Sequence, residues 1–374
     1  MNHILNKFGI DKPTNGMGSR VFLRLQKLRR FLWMLRSDYQ TKVSLSMQDT
    51  LRAWRYGFMR WSYFLYGLDK NDPRMFISDR VQFLEMDFIN GAHQPACAQK
   101  VIFSRYVGSL GAPCPRIHAV IVRGHVYIIE GMELAEADLL FKLIEEYPPG
   151  IVLKPIVGCE GLGVAFLKRN KEGCELNGRT ATDDEVKAVV SQLDNYLVTD
   201  FVIQHEYAQS LYPRTTNTLR LLTFWDYDTN QPFLAAAVQR IGTSRSYPVD
   251  NFKMGAGGIS ALVDSDTGRL GYGICRPDEG PMQRYACHPE TGNPIEGGYV
   301  PRWKETVEDI LRFSARMPYL PIIGWDLVMT PEGYQVIETN PGSGLFVIQV
   351  HKPLLSDKRV QKFLKFHKCN RGCS

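Results

Sequence analysis

Apolar positions near the start of the chain recur at helical spacing. Between residues 20 and 42, large apolar side chains follow one another at steps of three and four: Phe22, Leu25, Leu28, Leu32 and Leu35. This spacing predicts a helix with one apolar face. Basic residues occupy most of the other positions: Arg20, Arg24, Lys27, Arg29, Arg30 and Arg36. Such a helix fits two environments, an anionic membrane surface or the main body of the protein, and the sequence leaves both open.

A second helical pattern follows, in which Trp54, Phe58, Trp61 and Leu65 recur at steps of four, three and four. Neighbouring arginines make single-stranded nucleic-acid binding an alternative, but aromatic side chains that stack on bases have to be exposed. A stripe at helical spacing is more typical of a core, so we predict that these four residues are buried. A further short helix is predicted over residues 78–93. Residues 1–95 are therefore predicted to form a mainly helical lobe.

The pattern changes to α+β from about residue 115. Runs rich in β-branched and aromatic residues predict strands at 118–122, 126–130, 151–154, 164–168, 197–204, 219–224 and 233–240. Helices are predicted at 98–110, 135–147, 182–194 and 303–316. The order indicates antiparallel hairpins and not the regular alternation of a dinucleotide-binding fold. We predict an α+β domain at 96–356, with a glycine-loop subdomain at about 150–205, and a basic C-terminal tail at 357–374.

Composition and charge narrow the class of protein. The 374 residues, 44% hydrophobic and 22% charged, are typical of a soluble protein with two or three packed lobes. The net charge of +6 favours anionic partners such as nucleotides, sugar phosphates or acidic membranes. No run of 18 apolar residues occurs, and Lys7, Asp11 and Lys12 interrupt the pattern of a signal peptide. We expect a cytoplasmic protein, with peripheral contact to the inner face of the membrane as an open possibility.

The eight cysteines are scattered, without a Cys-x-x-Cys pair, which argues against a zinc site and for reduced thiols. The last two, Cys369 and Cys373, are close enough in sequence to pair or to bind a metal. We favour a frayed chain end for them.

The segment 324–344 carries the most informative set of polar residues. Short apolar runs flank the turn sequence Thr330-Pro331-Glu332-Gly333. A hairpin symmetric about residue 332 places Asp326 opposite Glu338, with Asn340 on the same face two residues later. Two carboxylates and an amide oxygen suit Mg²⁺, with phosphate oxygens and water completing the coordination. The alternative is a surface hairpin with incidental acids, against which the apolar neighbours argue.

Residues 151–168 read as strand, glycine loop and strand. Lys154 ends a β-branched run, and Gly158, Gly161 and Gly163 allow backbone N–H groups to approach phosphate oxygens. The spacing is neither that of a dinucleotide-binding motif nor that of a P-loop. Between this loop and the predicted metal site lies a cationic set that can neutralise a transferring phosphate: Arg220, Arg240 and Lys253. Each of these can alternatively be a structural ion-pair partner.

Together these motifs resemble the ATP-grasp superfamily, in particular its sugar-transfer-associated branch, over about residues 98–353. The shared segments, in order, are Lys100 before Gly111-Ala112-Pro113-Cys114-Pro115, Lys154 with its glycine loop, Gln204-His205, Asn217-Thr218-Leu219-Arg220, Asp250-Asn251-Phe252 leading to Gly257-Gly258, His288-Pro289-Glu290-Thr291-Gly292, Pro301-x-Trp303, Gly324-Trp325-Asp326 and Glu338-x-Asn340. Residues 1–95 match none of the family's motifs.

The resemblance implies that two α+β subdomains clasp ATP. Lys100 and Lys154 would reach the phosphates or adenine, and the hinge around Asp200, Val202 and Gln204 would read the adenine edge through its backbone. Gln204 or His205 would take the ribose. Asp326, Glu338 and Asn340 would hold two Mg²⁺ ions, and Arg220, with Asn217, Arg240 and Lys253 near it, would stabilise phosphoryl transfer. Relatives often carry an acidic hinge residue, where this chain has Thr199-Asp200.

The family's usual chemistry is phosphorylation of a carboxylate by ATP, followed by displacement of phosphate by an amine. We therefore predict an ADP-forming carboxylate–amine ligase acting on small-molecule or glycan-linked substrates, as the branch name suggests for polysaccharide biosynthesis. The alternatives are a kinase that phosphorylates a hydroxyl and a non-catalytic nucleotide-binding adaptor in glycan assembly. His205 and His288 are candidate bases for the amine step, each with a structural role as its alternative.

Overall fold

The protein is described by a computed structural model covering residues 17–129, 134–135, 137–158, 161–171, 173–252, 256–276, 282–342 and 344–369. Two residues that the sequence singled out, Lys253 and Cys373, lie outside these ranges. Within them the chain forms two antiparallel sheets and a helical N-terminal region. No helix in these ranges is long and apolar enough to cross a membrane.

The described helices, in chain order, are α1 (Met17–Gln40), α2 (Met47–Arg55), α3 (Arg60–Leu65), α4 (Asp79–Leu84), α5 (Gln94–Ala98), α6 (Lys100–Ser109), α7 (Asp138–Glu146), α8 (Asp183–Val190), α9 (Glu206–Leu211), α10 (Trp303–Ala315), α11 (Phe346–Gln349) and α12 (Lys358–Phe366). Short 3₁₀ turns lie at Pro73–Met75, Met86–Phe88, Gly91–His93 and Leu354–Ser356.

The first sheet has eight strands in the order β3-β2-β1-β8-β4-β5-β6-β7. Its strands are β1 (Ile117–Val122), β2 (His125–Ile128), β3 (Leu134–Ala135), β4 (Ile151–Pro155), β5 (Ala165–Asn170), β6 (Gly173–Leu176), β7 (Arg179–Ala181) and β8 (Tyr196–Asp200). Helices α7 and α8 cover one face, where Leu140, Ile144 and Val186 pack on Leu153 and Leu167. The opposite face is therefore left for the cleft between the two sheets.

The second sheet has seven strands in the order β13-β12-β11-β10-β9-β14-β15. Its strands are β9 (Leu219–Asp226), β10 (Gln231–Ile241), β11 (Ile259–Val263), β12 (Leu270–Cys275), β13 (Gln283–Tyr285), β14 (Ile322–Thr330) and β15 (Gly333–Asn340). Trp303 and Phe313 of α10 pack on one face, while Ile348 of α11 and Phe363 of α12 pack on the other. Because both faces are covered, all nine positions of β14 are buried and the usual alternation disappears.

Several predicted boundaries differ from the structure. The subdomain expected to begin near residue 150 begins at β1, because β1 pairs with β8 in the same sheet. The segment expected as a C-terminal tail contains α12, whose Val360, Phe363 and Leu364 are buried against the second sheet. The helix expected over 78–93 is α4 followed by two 3₁₀ turns. Strands β3, β6, β7, β11, β12 and β13 were not predicted.

The aromatic stripe of the N-terminal lobe is only partly buried. Phe58, Trp61 and Leu65 lie in the core of the lobe, as predicted. Trp54 is 56% exposed, so the prediction that it is buried was wrong. The reason is a break in the helix: Gly57, with a φ of 78°, separates α2 from α3 and changes the direction of the stripe. The described cysteines, including the buried Cys369, are free thiols.

Candidate active site

A cleft between the two sheets collects most of the residues that the sequence singled out. Its apolar walls face each other, with Val152 and Phe166 on the first sheet and Val328 and Ile337 on the second. Its polar lining includes Lys100, Lys154, Asp200, Arg240, Asp326 and Glu338. An apolar slot that also carries charged groups is suited to a nucleotide. The sequence analysis did not identify the slot, although alternate residues of β4 and β5 point to it.

Two lysines approach the same carboxylate from different elements. Lys100 begins α6, donates from Nζ to the Gly158 carbonyl at 2.8 Å and lies 3.5 Å from the nearer Glu338 oxygen. Lys154 lies on β4 in the middle of the first sheet. Burial, together with the charge of Lys100, lowers the pKa of Lys154 from 10.5 to about 8, although Glu338 acts in the opposite direction. The negative charge of Glu338 therefore does not offset the burial of Lys154, and a phosphate group would add the charge that does.

The glycine loop is shaped by close contacts with its neighbours. Gly161 has a φ of 66°, and a Cβ there would lie 2.8 Å from the Val249 side chain of the other half of the protein. Gly163 has a φ of 75°, and a Cβ there would lie 2.5 Å from the Tyr196 hydroxyl. L-amino acids with side chains rarely adopt such φ values. The loop thus requires glycine at both positions to lie over the cleft.

The carboxylate pair predicted on the β14–β15 hairpin is present. Asp326 pairs with Glu338 across the two strands, and the Asn340 amide donates to the Asp326 carboxylate at 3.1 Å. The predicted symmetric turn was wrong in its detail. Thr330 pairs with Gly333 around a two-residue turn, and a bulge between the Leu327 and Asp326 pairs restores the opposition of the two acids.

Two arginines surround Asp326. Arg220 binds the carboxylate through both Nε and an Nη atom, the latter at 2.8 Å, and Arg240 approaches at 3.5 Å. Burial favours the protonated acid, but the two guanidinium groups outweigh it and hold the pKa of Asp326 below its ordinary value. Arg240 is itself oriented by Asp250, whose carboxylate accepts at 2.7 Å. Both arginines are thus ion-paired to carboxylates of the protein itself.

Glu338 has the opposite electrostatic environment. Burial and the neighbouring negative charge of Asp326 raise the pKa of Glu338, and Lys100 compensates only in part. A cation beside Glu338 would relieve this repulsion. The described residues contain no cluster of three His, Cys, Asp or Glu side chains able to hold a metal. The oxygen-rich set of Asp326, Glu338 and Asn340 nevertheless fits Mg²⁺ that arrives with phosphate oxygens of its own.

Comparison with known proteins agrees with this geometry. The family model for sugar-transfer associated ATP-grasp proteins matches residues 80–363. The chain belongs to this ATP-grasp family. No curated protein matches the chain.

Among solved structures, the ATP-grasp protein is similar to the ligase PsnB in complex with a minimal precursor, at 12% identity and a TM-score of 0.40, covering 75% of this chain and 63% of that one. It is similar to D-alanyl-alanine synthetase A of Vibrio cholerae O1 biovar eltor str. N16961, at 11% identity and a TM-score of 0.41, covering 74% and 65%. It is also similar to the ADP complex of the N5-carboxyaminoimidazole ribonucleotide synthetase purK, at 11% identity and a TM-score of 0.37, covering 68% of this chain and 47% of that one. The chain spans less than two thirds of the length of each.

Of the four hinge residues predicted to contact the nucleotide, two line the cleft and two do not. Asp200 and Val202 line the cleft, and Asp200 lies 2.6 Å from Nε2 of His118. Gln204 and His205 do not line it. Gln204 binds the Thr215 carbonyl and the Asn217 backbone, and His205 caps α9 by accepting from the Tyr207 N–H. Their predicted contact with ribose is therefore not supported, because their side chains are used within the fold.

Asn217 is also structural, contrary to its predicted catalytic role. It is buried, and its amide donates to Gln204 and to the Ala208 and Tyr212 carbonyls while accepting from the Gly242 N–H. These bonds use its hydrogen-bonding capacity away from the cleft.

His288, a candidate base, is similarly occupied. One ring nitrogen lies 2.9 Å from the Gly242 carbonyl, and the other accepts from the Glu290 and Thr291 N–H groups. With both nitrogens bonded inside the fold, the structural alternative holds for His288.

Proposed function

We propose that this ATP-grasp protein is a Mg²⁺-dependent, ADP-forming ligase that joins a carboxylate to an amine. The observation that carries the proposal is the convergence of Lys100 and Lys154 on Glu338, which lies opposite Asp326 in the hairpin, beside an apolar slot. This arrangement offers charge neutralisation and positioning, and phosphoryl transfer depends on these two effects.

Each residue has a distinct task in this proposal. Val152, Phe166, Val328 and Ile337 enclose the adenine, while Asp200 and Val202 contact its edge. Lys100, Lys154 and the glycine loop with Gly158, Gly161 and Gly163 hold the phosphates. Asp326, Glu338 and Asn340 would hold two Mg²⁺ ions, which would neutralise the phosphate charge. Arg220 and Arg240, with Lys253, stabilise the charge of the transferring phosphoryl group.

The reaction then proceeds in two displacements. A carboxylate oxygen of the first substrate attacks the γ-phosphorus of ATP, and the bond to the β-γ bridging oxygen breaks to release ADP. The amine of the second substrate attacks the acyl carbon, loses a proton, and inorganic phosphate leaves. None of the residues described at the site acts as a covalent nucleophile in this scheme, which relies on orientation by the cationic groups.

A second cavity of about 320 Å³ supports an acceptor site next to the nucleotide. It shares Glu338, Arg240 and Gly161 with the cleft, and Gln82 and Phe83 of the N-terminal lobe also line it. Because Arg220 and Arg240 both border this cavity, it is suited to an anionic substrate. The family's association with sugar transfer supports a sugar- or polysaccharide-linked carboxylate.

The test is release of ADP and phosphate from Mg-ATP with uronic acids, nucleotide sugars and amino acids, singly and in pairs. A ligase requires a carboxylate and an amine together. The variant Glu338→Gln should lose turnover by at least about a hundredfold, since it removes a charged ligand of the Mg²⁺ ions that would neutralise the transferring phosphate. Glu332→Gln, in the exposed turn of the same hairpin, is the matched control.

Three results would overturn the proposal. Turnover with a single hydroxyl compound, giving a stable phosphorylated product, would establish a kinase. ATP binding without turnover for any pair would indicate an adaptor. Near-normal turnover by Glu338→Gln would remove the metal assignment.

A further inference from the structure

Helix α1 packs on the protein through its polar side. Lys27 pairs with Glu85 at 2.6 Å, and Arg30 pairs with Asp87 of the same helical lobe. Asp38 is buried and accepts from the Arg60 backbone at 2.6 Å and from the Trp54 indole at 2.9 Å. Ion pairs and hydrogen bonds therefore attach this helix to the body, together with the buried Met34 and the edge-to-face contact of Trp33 with Phe83.

The apolar side of α1 is consequently turned away from the body. Six residues at steps of four and three form this outer face, and each is at least half exposed: Val21, Leu25, Leu28, Leu32, Leu35 and Tyr39. Exposure of single apolar residues is ordinary in soluble proteins, but a continuous stripe six residues long is not. Such a stripe indicates a surface that is covered by something when the protein works.

Helix α2 carries a second exposed apolar stripe. Met47, Leu51 and Trp54 recur at steps of four and three and are 74%, 55% and 56% exposed. The hydrogen bond from Trp54 to Asp38 holds α2 beside the C-terminal end of α1. The exposed Trp54 and Tyr39 carry a polar group on an apolar ring, a combination enriched at the boundary between lipid tails and headgroups.

The charge around the outer face has one sign. Arg24, Arg29 and Arg36 are exposed along its two edges on α1, and Arg55 is exposed beside it on α2. Arg24, Arg29 and Arg36 form no ion pair with any acid in the part of the chain that the structure describes. The acids of these helices face elsewhere: Asp38 is buried against the body, and Asp49 binds Ser46 and Tyr63.

We propose that the outer face of α1 and α2 is a peripheral membrane-binding surface that docks on an anionic lipid bilayer. The apolar stripe enters the boundary between headgroups and acyl chains, and the flanking arginines contact phosphate and carboxylate groups of the lipids. This proposal does not depend on which reaction the cleft catalyses.

A second copy of the chain fits the same face less well. The spacing of the stripe is that of a coiled-coil seam, in which Arg29 and Arg36 would flank the seam. A parallel pair would place Arg29 near the partner's arginine at position 24, and an antiparallel pair would place Arg29 and Arg36 near each other. Neither arrangement supplies an acid to those arginines, whereas an anionic bilayer does.

The experiment measures binding of the full chain to vesicles of phosphatidylcholine with 30% phosphatidylserine by co-sedimentation, beside vesicles of phosphatidylcholine alone. We expect binding to the anionic vesicles that weakens with added salt. Leu28→Glu with Leu32→Glu should weaken it at least about tenfold, since it charges the centre of the stripe. Arg29→Gln with Arg36→Gln should weaken it about 30-fold, since each basic residue near an anionic surface contributes about fivefold in affinity.

Matched controls separate these effects from general changes in charge or stability. Val189→Glu with Gln192→Glu adds the same two charges at exposed positions at the end of α8, and Arg105→Gln with Arg179→Gln removes two exposed arginines elsewhere. Both controls should bind like the unmodified chain, and all variants should keep their circular dichroism spectrum.

Two outcomes would overturn the proposal. One is equal vesicle binding by the stripe variant and the unmodified chain. The other is a dimer in analytical ultracentrifugation that Leu28→Glu with Leu32→Glu converts to a monomer, with no vesicle binding by either form. The latter result would assign the face to a second copy of the chain.

Discussion

Proton uptake on nucleotide binding tests the electrostatics of the cleft most directly. Without nucleotide, burial and the charge of Lys100 lower the pKa of Lys154 to about 8. A triphosphate bound against its ammonium would favour the charged form and raise the pKa again, because it places negative charge at short range. Binding above pH 8 should therefore take a proton from solution.

The size of this uptake follows from the shift. With a pKa of about 8, Lys154 is about three-quarters deprotonated at pH 8.5 and about 3% deprotonated at pH 6.5. Binding of Mg-ATP should thus take up roughly 0.7 proton at the higher pH and almost none at the lower. Isothermal titration calorimetry in buffers of different ionisation enthalpy measures this number, because the buffer supplies the proton.

A matched pair of variants assigns the proton to one residue. Lys154→Met should remove the pH-dependent uptake, while Lys168→Met, at an exposed position on the neighbouring strand β5, should retain it. Uptake that is the same at pH 6.5 and 8.5, or that survives in Lys154→Met, would refute the reasoning.

The lowered pKa of Lys154 also predicts how the stability of the fold changes with pH. Because the folded pKa of Lys154 lies below the unfolded one, the unfolded chain binds more protons between about pH 8 and 10.5. Below pH 8, Lys154 therefore lowers the free energy of unfolding by its full amount. This destabilisation disappears as the pH rises from about 8 to 10.5. At pH 7, Lys154→Met should raise the free energy of unfolding by about 3 kcal/mol at most. This limit is the difference between the unfolded and folded pKa values, converted at about 1.36 kcal/mol per pKa unit. Chemical denaturation measures it.

Three further predictions concern other parts of the site. Asn217→Ala should lower the free energy of unfolding by roughly 2–4 kcal/mol, measured by denaturation, because it leaves several buried groups without partners; an unchanged stability with a lost catalytic rate would restore its catalytic role. Gly161→Ala should weaken ATP binding about tenfold in calorimetry, because its Cβ would clash with Val249 at a strained φ; unchanged affinity would mean that the loop does not close on ATP. Asp250→Asn should lower kcat roughly tenfold to a hundredfold in steady-state assays, since Arg240 loses the group that orients it; normal kcat would leave Asp250 a folding residue only.

Short-range patterns allowed the chemistry of the β14–β15 hairpin to be predicted. Alternation in a strand and the turn sequence place Asp326 opposite Glu338, and the structure has this pair. The bulge that brings it about was not predictable, because it depends on Ile337, the extra residue, which lines the nucleotide cleft. Bulges beside sites often redirect one side chain, and the packing partner that selects them lies far away in sequence.

Motif residues with polar side chains were harder to interpret. Asn217 and Gln204 belong to segments shared with the family, and the predictions were a catalytic role for Asn217 and nucleotide binding for Gln204. In the fold they bond to each other and to the turn around Thr215. A recurring polar residue is equally expected where a buried backbone turn needs donors and acceptors, and only the three-dimensional contacts distinguish this use from ligand binding.

Which side of α1 faces the body was also not predictable from the local sequence pattern. The sequence pattern identifies its apolar face but not what that face touches, because the docking of the helix is decided by Glu85 and Asp87, more than fifty residues away. Asp87 in turn lies against Gly342, two residues beyond Asn340, where a Cβ would come within 2.7 Å of its carboxylate. The ion pair between Arg30 and Asp87 thus links helix α1 to the loop that follows the carboxylate hairpin, and Gly342 of this loop lines the second cavity.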